Sequence, residues 1–130
     1  MALLIDTSVL IDAERRDRSL SSNLGTEDRA ISVITVSELL HGVHRAAHGK
    51  ARARRGAFVE GLLSAIEALP ITTAVARIHA ETWSALKDEG AVIGAHDLWI
   101  AATALSQSMA VATANARDFE RVPGLDVVVI

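Results

Sequence analysis

The strongest constraint on this chain lies at its start. An apolar run, Leu3-Leu4-Ile5, ends abruptly in Asp6, and Thr7 and Ser8 follow. A continuous apolar run, unlike an alternating one, is the pattern of a parallel strand buried on both faces. In open α/β sheets the ligand crevice lies outside the carboxyl ends of such strands. Asp6 is expected at one of these ends, where a carboxylate is costly to bury unless something positive compensates it.

The remaining sequence alternates strand and helix. Residues 2–6 read as strand one and Thr7 to about Arg15 as a helix, with Ser8 a candidate cap. Ser19 to Leu24 read as one further helical turn, closed by Gly25, and Ala30 to Ile34 as strand two. Thr35 with Glu38 three residues later forms a capping-box pattern. A helix is therefore expected from Thr35 to Ala47, with Val36, Leu39, Leu40 and Val43 on its buried stripe. Gly49 separates it from a second helix over residues 50–68, whose basic first turns oppose the helix dipole. Pro70 ends that helix, and Ile71 opens a short third strand. A helix from about Thr73 to Glu89, a loop between Gly90 and Gly94, an Ala-rich helix from His96 to Ser108 and a strand from Met109 to Thr113 follow. After a turn at Pro123-Gly124, Asp126 to Ile130 form a last strand. This alternation predicts the α/β class, a parallel sheet of four to five strands sandwiched between helices. With 130 residues, 50% of them hydrophobic, a single domain over residues 1–130 is expected.

Composition excludes several classes. There is no cysteine, hence no disulfide framework and no thiolate metal site. No apolar run reaches 18 residues, so no membrane span is expected. No basic region precedes a long apolar one, so no secretory signal is read, and a cytoplasmic location is the simplest expectation. The net charge of −3 argues against a surface that attracts nucleic acid everywhere. Its distribution is uneven, however. Leu39 to Val59 contain no acid, but hold Arg45, Lys50, Arg52, Arg54 and Arg55 together with His41, His44 and His48. That stretch reads either as a solvated helix face or as a basic stripe.

Four acids stand in unusual places. Asp6 closes strand one, Glu38 follows strand two, Asp97 lies in the first turn of the Ala-rich helix, and Asp118 lies just past strand four. Each has a local explanation. Asp6 could cap a helix, Glu38 could complete a capping box, Asp97 could complement a helix dipole, and Asp118 could serve a turn. These explanations do not account for all four falling on one predicted sheet edge. Carboxylates so clustered repel, and some take up protons unless a cation neutralises them. An all-oxygen ligand set suits Mg²⁺ or Mn²⁺, and hydrolysis of a phosphodiester is the reaction such a site serves. No Gly-rich phosphate loop or GxGxxG is present, so a nucleotide cofactor is not expected.

Four segments carry a family resemblance: Leu4-Ile5-Asp6-Thr7-Ser8-Val9-Leu10-Ile11, Ile34-Thr35-Val36-Ser37-Glu38-Leu39-Leu40-His41-Gly42, His96-Asp97-Leu98-Trp99-Ile100-Ala101-Ala102-Thr103-Ala104-Leu105 and Thr113-Ala114-Asn115-Ala116-Arg117-Asp118-Phe119. In this order they resemble the motifs of PIN-domain ribonucleases, in particular VapC toxins of bacterial VapBC toxin–antitoxin pairs. The resemblance implies a metal-dependent endoribonuclease in which Asp6, Glu38, Asp97 and Asp118 are the catalytic acids and hold Mg²⁺ or Mn²⁺. Asp6 and Asp97 are the expected direct ligands. Ser8, Thr113 and Asn115 resemble supporting polar residues that orient the carboxylates, although capping or turn roles account for them as well. The resemblance further implies an RNA substrate, a VapB-like antitoxin laid along the groove over the acids, and a homodimer formed through the helices, for which apolar positions on helices 35–47 and 50–68 are candidates. Transfer RNA and ribosomal RNA loops are candidate targets by analogy alone. Asp12 and Glu14 read as a solvated face, His96 as a helix-start residue with substrate contact the alternative, and Trp83 and Trp99 as core or interface residues. Arg117 is left between a phosphate and a site acid. A housekeeping RNA-processing nuclease, a non-catalytic binding module and a phosphoacceptor receiver are the competing classes. The last requires a late lysine, and the last lysine here is Lys87.

Overall fold

The computed structural model describes residues 2–16 and 28–130. The turn expected at residues 19–24 lies outside them. Five parallel strands, β1 (Leu3–Ile5), β2 (Arg29–Ser32), β3 (Glu67–Leu69), β4 (Ala110–Thr113) and β5 (Val127–Val129), form one sheet in the order β3-β2-β1-β4-β5. The five helices among the described residues are α1 (Thr7–Arg15), α2 (Val33–Arg45), α3 (Lys50–Ala65), α4 (Thr73–Asp88) and α5 (Ala95–Ser106). A short 3₁₀ turn covers Phe119–Arg121.

The central strand alternates between two cores. Leu3 and Ile5 pack with Val9, Leu10, Leu39 and Val59 under α1, α2 and α3. Leu4 points the other way, to Ile100, Ala101 and Ala104 of α5 and to Phe119. Burying a side chain such as Leu4 or Ile5, each 0% exposed, contributes about 1.5–3 kcal/mol. Chain order departs from β1 toward β2 and β3, then returns across it to β4 and β5. The reversal point lies between β1 and β4, and open parallel sheets form their ligand crevice at such a point. Asp6 leaves β1 there, and its N–H donates to the carbonyl of Ala112 in β4 (2.9 Å).

Several boundaries differ from the sequence expectation. Strand two ends at Ser32 instead of Ile34, because the buried Ser32 hydroxyl accepts the Ile34 N–H (3.0 Å) and caps α2. Thr35 is therefore inside α2, not its cap, and Glu38 completes no capping box. Strand three is Glu67–Leu69, ahead of Pro70. Residues preceding proline disfavour helical backbone, and proline has no N–H for the ladder. Because Glu67–Leu69 pair with β2, α3 ends at Ala65 rather than at residue 68. Ser8 does not cap α1, which begins at Thr7. The apolar side chains Val36, Leu40, Val43, Phe58, Leu62 and Leu63 pack against the core, so α2 and α3 do not offer the apolar surface expected of them. The large exposed hydrophobics among the described residues include Trp83 and Val92 instead.

Candidate active site at the sheet reversal

Asp6 occupies the N-cap position of α1, yet its side chain makes no capping hydrogen bond. The carboxylate instead turns to β4. Its Oδ2 accepts from Ser8 Oγ (2.7 Å) and from Thr113 Oγ1 (2.9 Å), whose hydroxyl is fully buried. Ser8 Oγ and Thr113 Oγ1 lie 3.2 Å apart, and Ser8 Oγ accepts the Ala114 N–H (3.0 Å). Thr113 Oγ1 also accepts the Asn115 N–H (3.0 Å). The two hydroxyls thus lock a carboxylate to the end of the adjacent strand, and the helix-cap explanation of Asp6 does not hold.

Glu38 reaches the same edge from the second turn of α2. Its Oε1 accepts from Thr7 Oγ1 (2.7 Å), and its Oε2 lies 3.3 Å from His96 Nδ1. Thr7 Oγ1 is also 3.1 Å from the buried Thr35 Oγ1. With one proton to share, the ionised carboxylate is the stronger acceptor. Thr7 and Thr35 are site residues that the sequence did not suggest. His96, read as a helix-start residue or a substrate contact, lies against a site acid.

Asp97 enters in the first turn of α5, whose N-cap is Gly94. Its pKa is raised to about 6, first by burial and then by the charges of Asp6, Asp118 and Glu38, with a hydrogen-bond contribution from the Asp118 side chain. Asp118 stands behind it, and its Oδ2 accepts the Gly94 N–H (3.3 Å). A cleft of ≈ 240 Å³ is lined by Asp6, Thr7, Ser8, Ile11, Glu38, Asp97 and Asn115. Three of the four acids therefore line one opening, and Asp118 supports Asp97 from outside that lining.

The donor set at this edge is carboxylate and hydroxyl oxygen, which suits a hard divalent ion. Among the described residues, no three His, Asp or Glu side chains are gathered tightly enough to hold an ion as they stand. The elevated pKa of Asp97 reflects its burial first and the neighbouring negative charge of Asp6, Asp118 and Glu38 second.

The remaining expectations divide. Asp12 pairs with Arg16 at the surface (2.9 Å), whereas Glu14 binds Arg55 of α3 (3.1 Å) and ties α1 to it. Arg117 is exposed and pairs with none of the four acids. A roomier apolar cavity of ≈ 400 Å³ lies between α4 and α5, lined by His79, Trp83, Leu86 and Trp99 among others. His79 stacks on Trp99 with ring centroids 3.5 Å apart, and burial lowers its pKa. No carboxylate lines this cavity, in contrast to the smaller, acidic cleft.

The profile of the PIN domain family matches residues 3–125. Ribonuclease VapC of Rickettsia bellii is 34% identical over 130 residues, spanning 100% of this chain and 97% of the relative. The tRNA(fMet)-specific endonuclease VapC of Salmonella typhimurium is 36% identical over 105 residues, or 81% of this chain and 77% of the relative. The crystal structure of DNA-bound VapBC from Salmonella typhimurium superimposes with a TM-score of 0.86 at 32% identity, over 98% of this chain and 96% of that one. The chain belongs to the PIN domain family and, within it, to the VapC group.

Proposed function

We propose that this chain is a metal-dependent endoribonuclease toxin of a type II toxin–antitoxin pair, hydrolysing RNA phosphodiester bonds at Asp6, Glu38, Asp97 and Asp118. One observation carries the reading. Acids from the ends of separate elements converge at the sheet reversal, and Asp6 forgoes its local helix cap to be held by Ser8 and Thr113. That arrangement costs charge repulsion and serves no packing purpose. The names of the relatives agree with it, and tRNA is the first target to test because one relative is named for tRNA(fMet).

Asp6 and Asp97 would hold Mg²⁺ or Mn²⁺, with Glu38 and Asp118 binding through water or positioning the attacking water. Such an ion supplies Lewis acidity at the phosphoryl group and an acidified water. Ser8 and Thr113 fix the orientation of Asp6, and Thr7 fixes that of Glu38. The negative edge repels a phosphodiester until it is neutralised, so metal and substrate bind in a linked manner. A VapB-like antitoxin is the inhibitory partner, in keeping with solved relatives that are VapBC complexes. A homodimer would use the apolar surface at Trp83 and Val92, which are 52% and 80% exposed. In that case Trp83→Glu yields a monomer in sedimentation.

The deciding experiment incubates purified protein with total cellular RNA in Mg²⁺ or Mn²⁺ and maps the cleaved ends, with Asp97→Asn beside it. Discrete, metal-dependent cuts that vanish in the variant are expected. Equal cutting by both proteins would reject the site, and binding of metal without any cutting of RNA would reject the activity.

A further inference from the structure

The junction of α2 and α3 concentrates positive charge at an apparent energetic loss. Gly49 is the N-cap of α3 with φ +63°, and it offers no capping side chain. No acid stands in the first turn. Lys50, Arg52, Arg54 and Arg55 follow, placed against the positive end of the helix dipole. Two of these arginines have internal work. Arg55 passes over Gly42 to reach Glu14, and Arg52 donates to the carbonyls of His44 and Ala46 at the end of α2 (3.1 and 3.3 Å). Arg45, Lys50 and Arg54 are exposed, and none pairs with an acid among the described residues.

These cations lead away from the acidic cleft. Arg45 stands seven residues after Glu38 on α2, two turns on and on the same face, about 10 Å along the axis. His41, also exposed, lies between them on that face. Along α2 the order is cleft acid, imidazole, guanidinium, and the exposed cations Lys50 and Arg54 follow at the start of α3. An acid-lined cleft that takes one phosphate through a bound cation still repels the phosphates on either side of it. A cationic track beginning two turns away supplies the opposite sign for the flanking backbone. Aromatic residues are absent from residues 33–56, so the contact would be to phosphate, not to stacked bases.

We propose that Arg45, Lys50 and Arg54 form a phosphate track that binds the single-stranded RNA backbone flanking the scissile bond. This rests on the ribonuclease reading above, and fixes where on the surface the substrate strand leaves the cleft. The track carries no base readout, so it sets affinity and register while sequence choice lies elsewhere.

The test replaces all three residues by glutamine and compares the variant with the wild type on one cleavable RNA. KM should rise ~10- to 100-fold at low salt, with kcat moving far less. The slope of log affinity against log salt, measured on the Asp97→Asn background to prevent cleavage, should become shallower by about 2, at about 0.7 per phosphate contact on a single strand. An unchanged thermal midpoint excludes misfolding. Wild-type cutting combined with unchanged KM and salt slope in the variant would overturn the track and leave the ribonuclease intact. Loss of antitoxin affinity with unaltered RNA affinity would assign the stripe to the antitoxin and overturn it as well. Failure of the wild type to bind or cut RNA would overturn the ribonuclease reading together with the track.

Discussion

Asp6 and Asp97 line the same cleft and are held in opposite ways. Two hydroxyl donors converge on Asp6 Oδ2, one from α1 and one from the end of β4. Asp97 is pushed up to about 6 by burial and by three other carboxylates. One acid is oriented by two hydroxyls, and the other is half-buried beside three further carboxylates. On the proposed reading the pair would divide the work of a metal site, with geometry set at one carboxylate and electrostatic demand concentrated at the other. The contrast can be broken from either side.

The largest effect is expected from removing either carboxylate. Asp6→Ala and Asp97→Asn should each lower metal-dependent RNA cleavage on the order of a thousandfold, because several kcal/mol of transition-state stabilisation leaves with the ion. The two variants should differ in stability without metal. Asp97→Asn relieves repulsion and raises the thermal midpoint at pH 7.5, whereas Asp6→Ala strands the Ser8 and Thr113 hydroxyls and lowers it. A midpoint that falls in both would show that Asp97 is not under electrostatic load.

Thr113→Val probes the preset side of the contrast. It keeps the shape and removes a buried hydroxyl that donates to Asp6 and accepts the Asn115 N–H. The expected cost is about 1–3 kcal/mol in chemical denaturation, with metal affinity lowered about 10- to 100-fold in titration calorimetry. A variant that lost stability and kept metal affinity would reduce Thr113 to a strand-end residue.

The loaded side has a pH signature. The folded pKa of Asp97 lies above its ordinary value of 3.8, so the folded state binds more protons than the unfolded chain between about 4 and 6. Stability of the metal-free protein should therefore fall as pH rises through that window, and Asp97→Asn should remove the fall. Metal affinity should run the other way, strengthening as pH rises past 6 and the competing proton leaves. Thermal melts at pH 4.5, 6 and 7.5, with and without Mn²⁺, read both trends. Metal stabilisation that was equal at all three values would contradict the assignment.

The same contrast separates what could be read from the sequence. Asp6 was legible because a carboxylate ending an apolar run conflicts with burial, and the conflict shows in one dimension. The acids after the other elements followed from the parallel topology. The hydroxyls behind them were only partly legible. Thr7 and Thr35 bond across 28 to 31 residues of chain, and nothing local distinguishes them from ordinary small polar residues. The start of α2 is not legible because Val33 and Ile34 are β-branched and prolong the strand pattern, while a single buried hydroxyl, that of Ser32, turns the chain. Strand three lies ahead of Pro70 and not after it, because proline, besides stopping a helix, holds the residue before it in extended backbone.

The smallest effect concerns Glu38, which combines both kinds of support in one side chain. Its Oε1 takes a 2.7 Å bond from the buried Thr7, and its Oε2 faces His96 at 3.3 Å, with the His96 side chain 61% exposed. The longer, solvated contact competes with water and is worth under ~1 kcal/mol, whatever the charge on the imidazole. His96→Ala should therefore lower kcat/KM by less than about fivefold. Thr7→Val should cost more, because it leaves Glu38 without its short bond and Thr35 without a hydroxyl neighbour. Steady-state cleavage by the two variants orders them. If His96→Ala proved the more damaging, the imidazole would be acting on the RNA and not through Glu38, and the outer half of this carboxylate would belong with the substrate contacts.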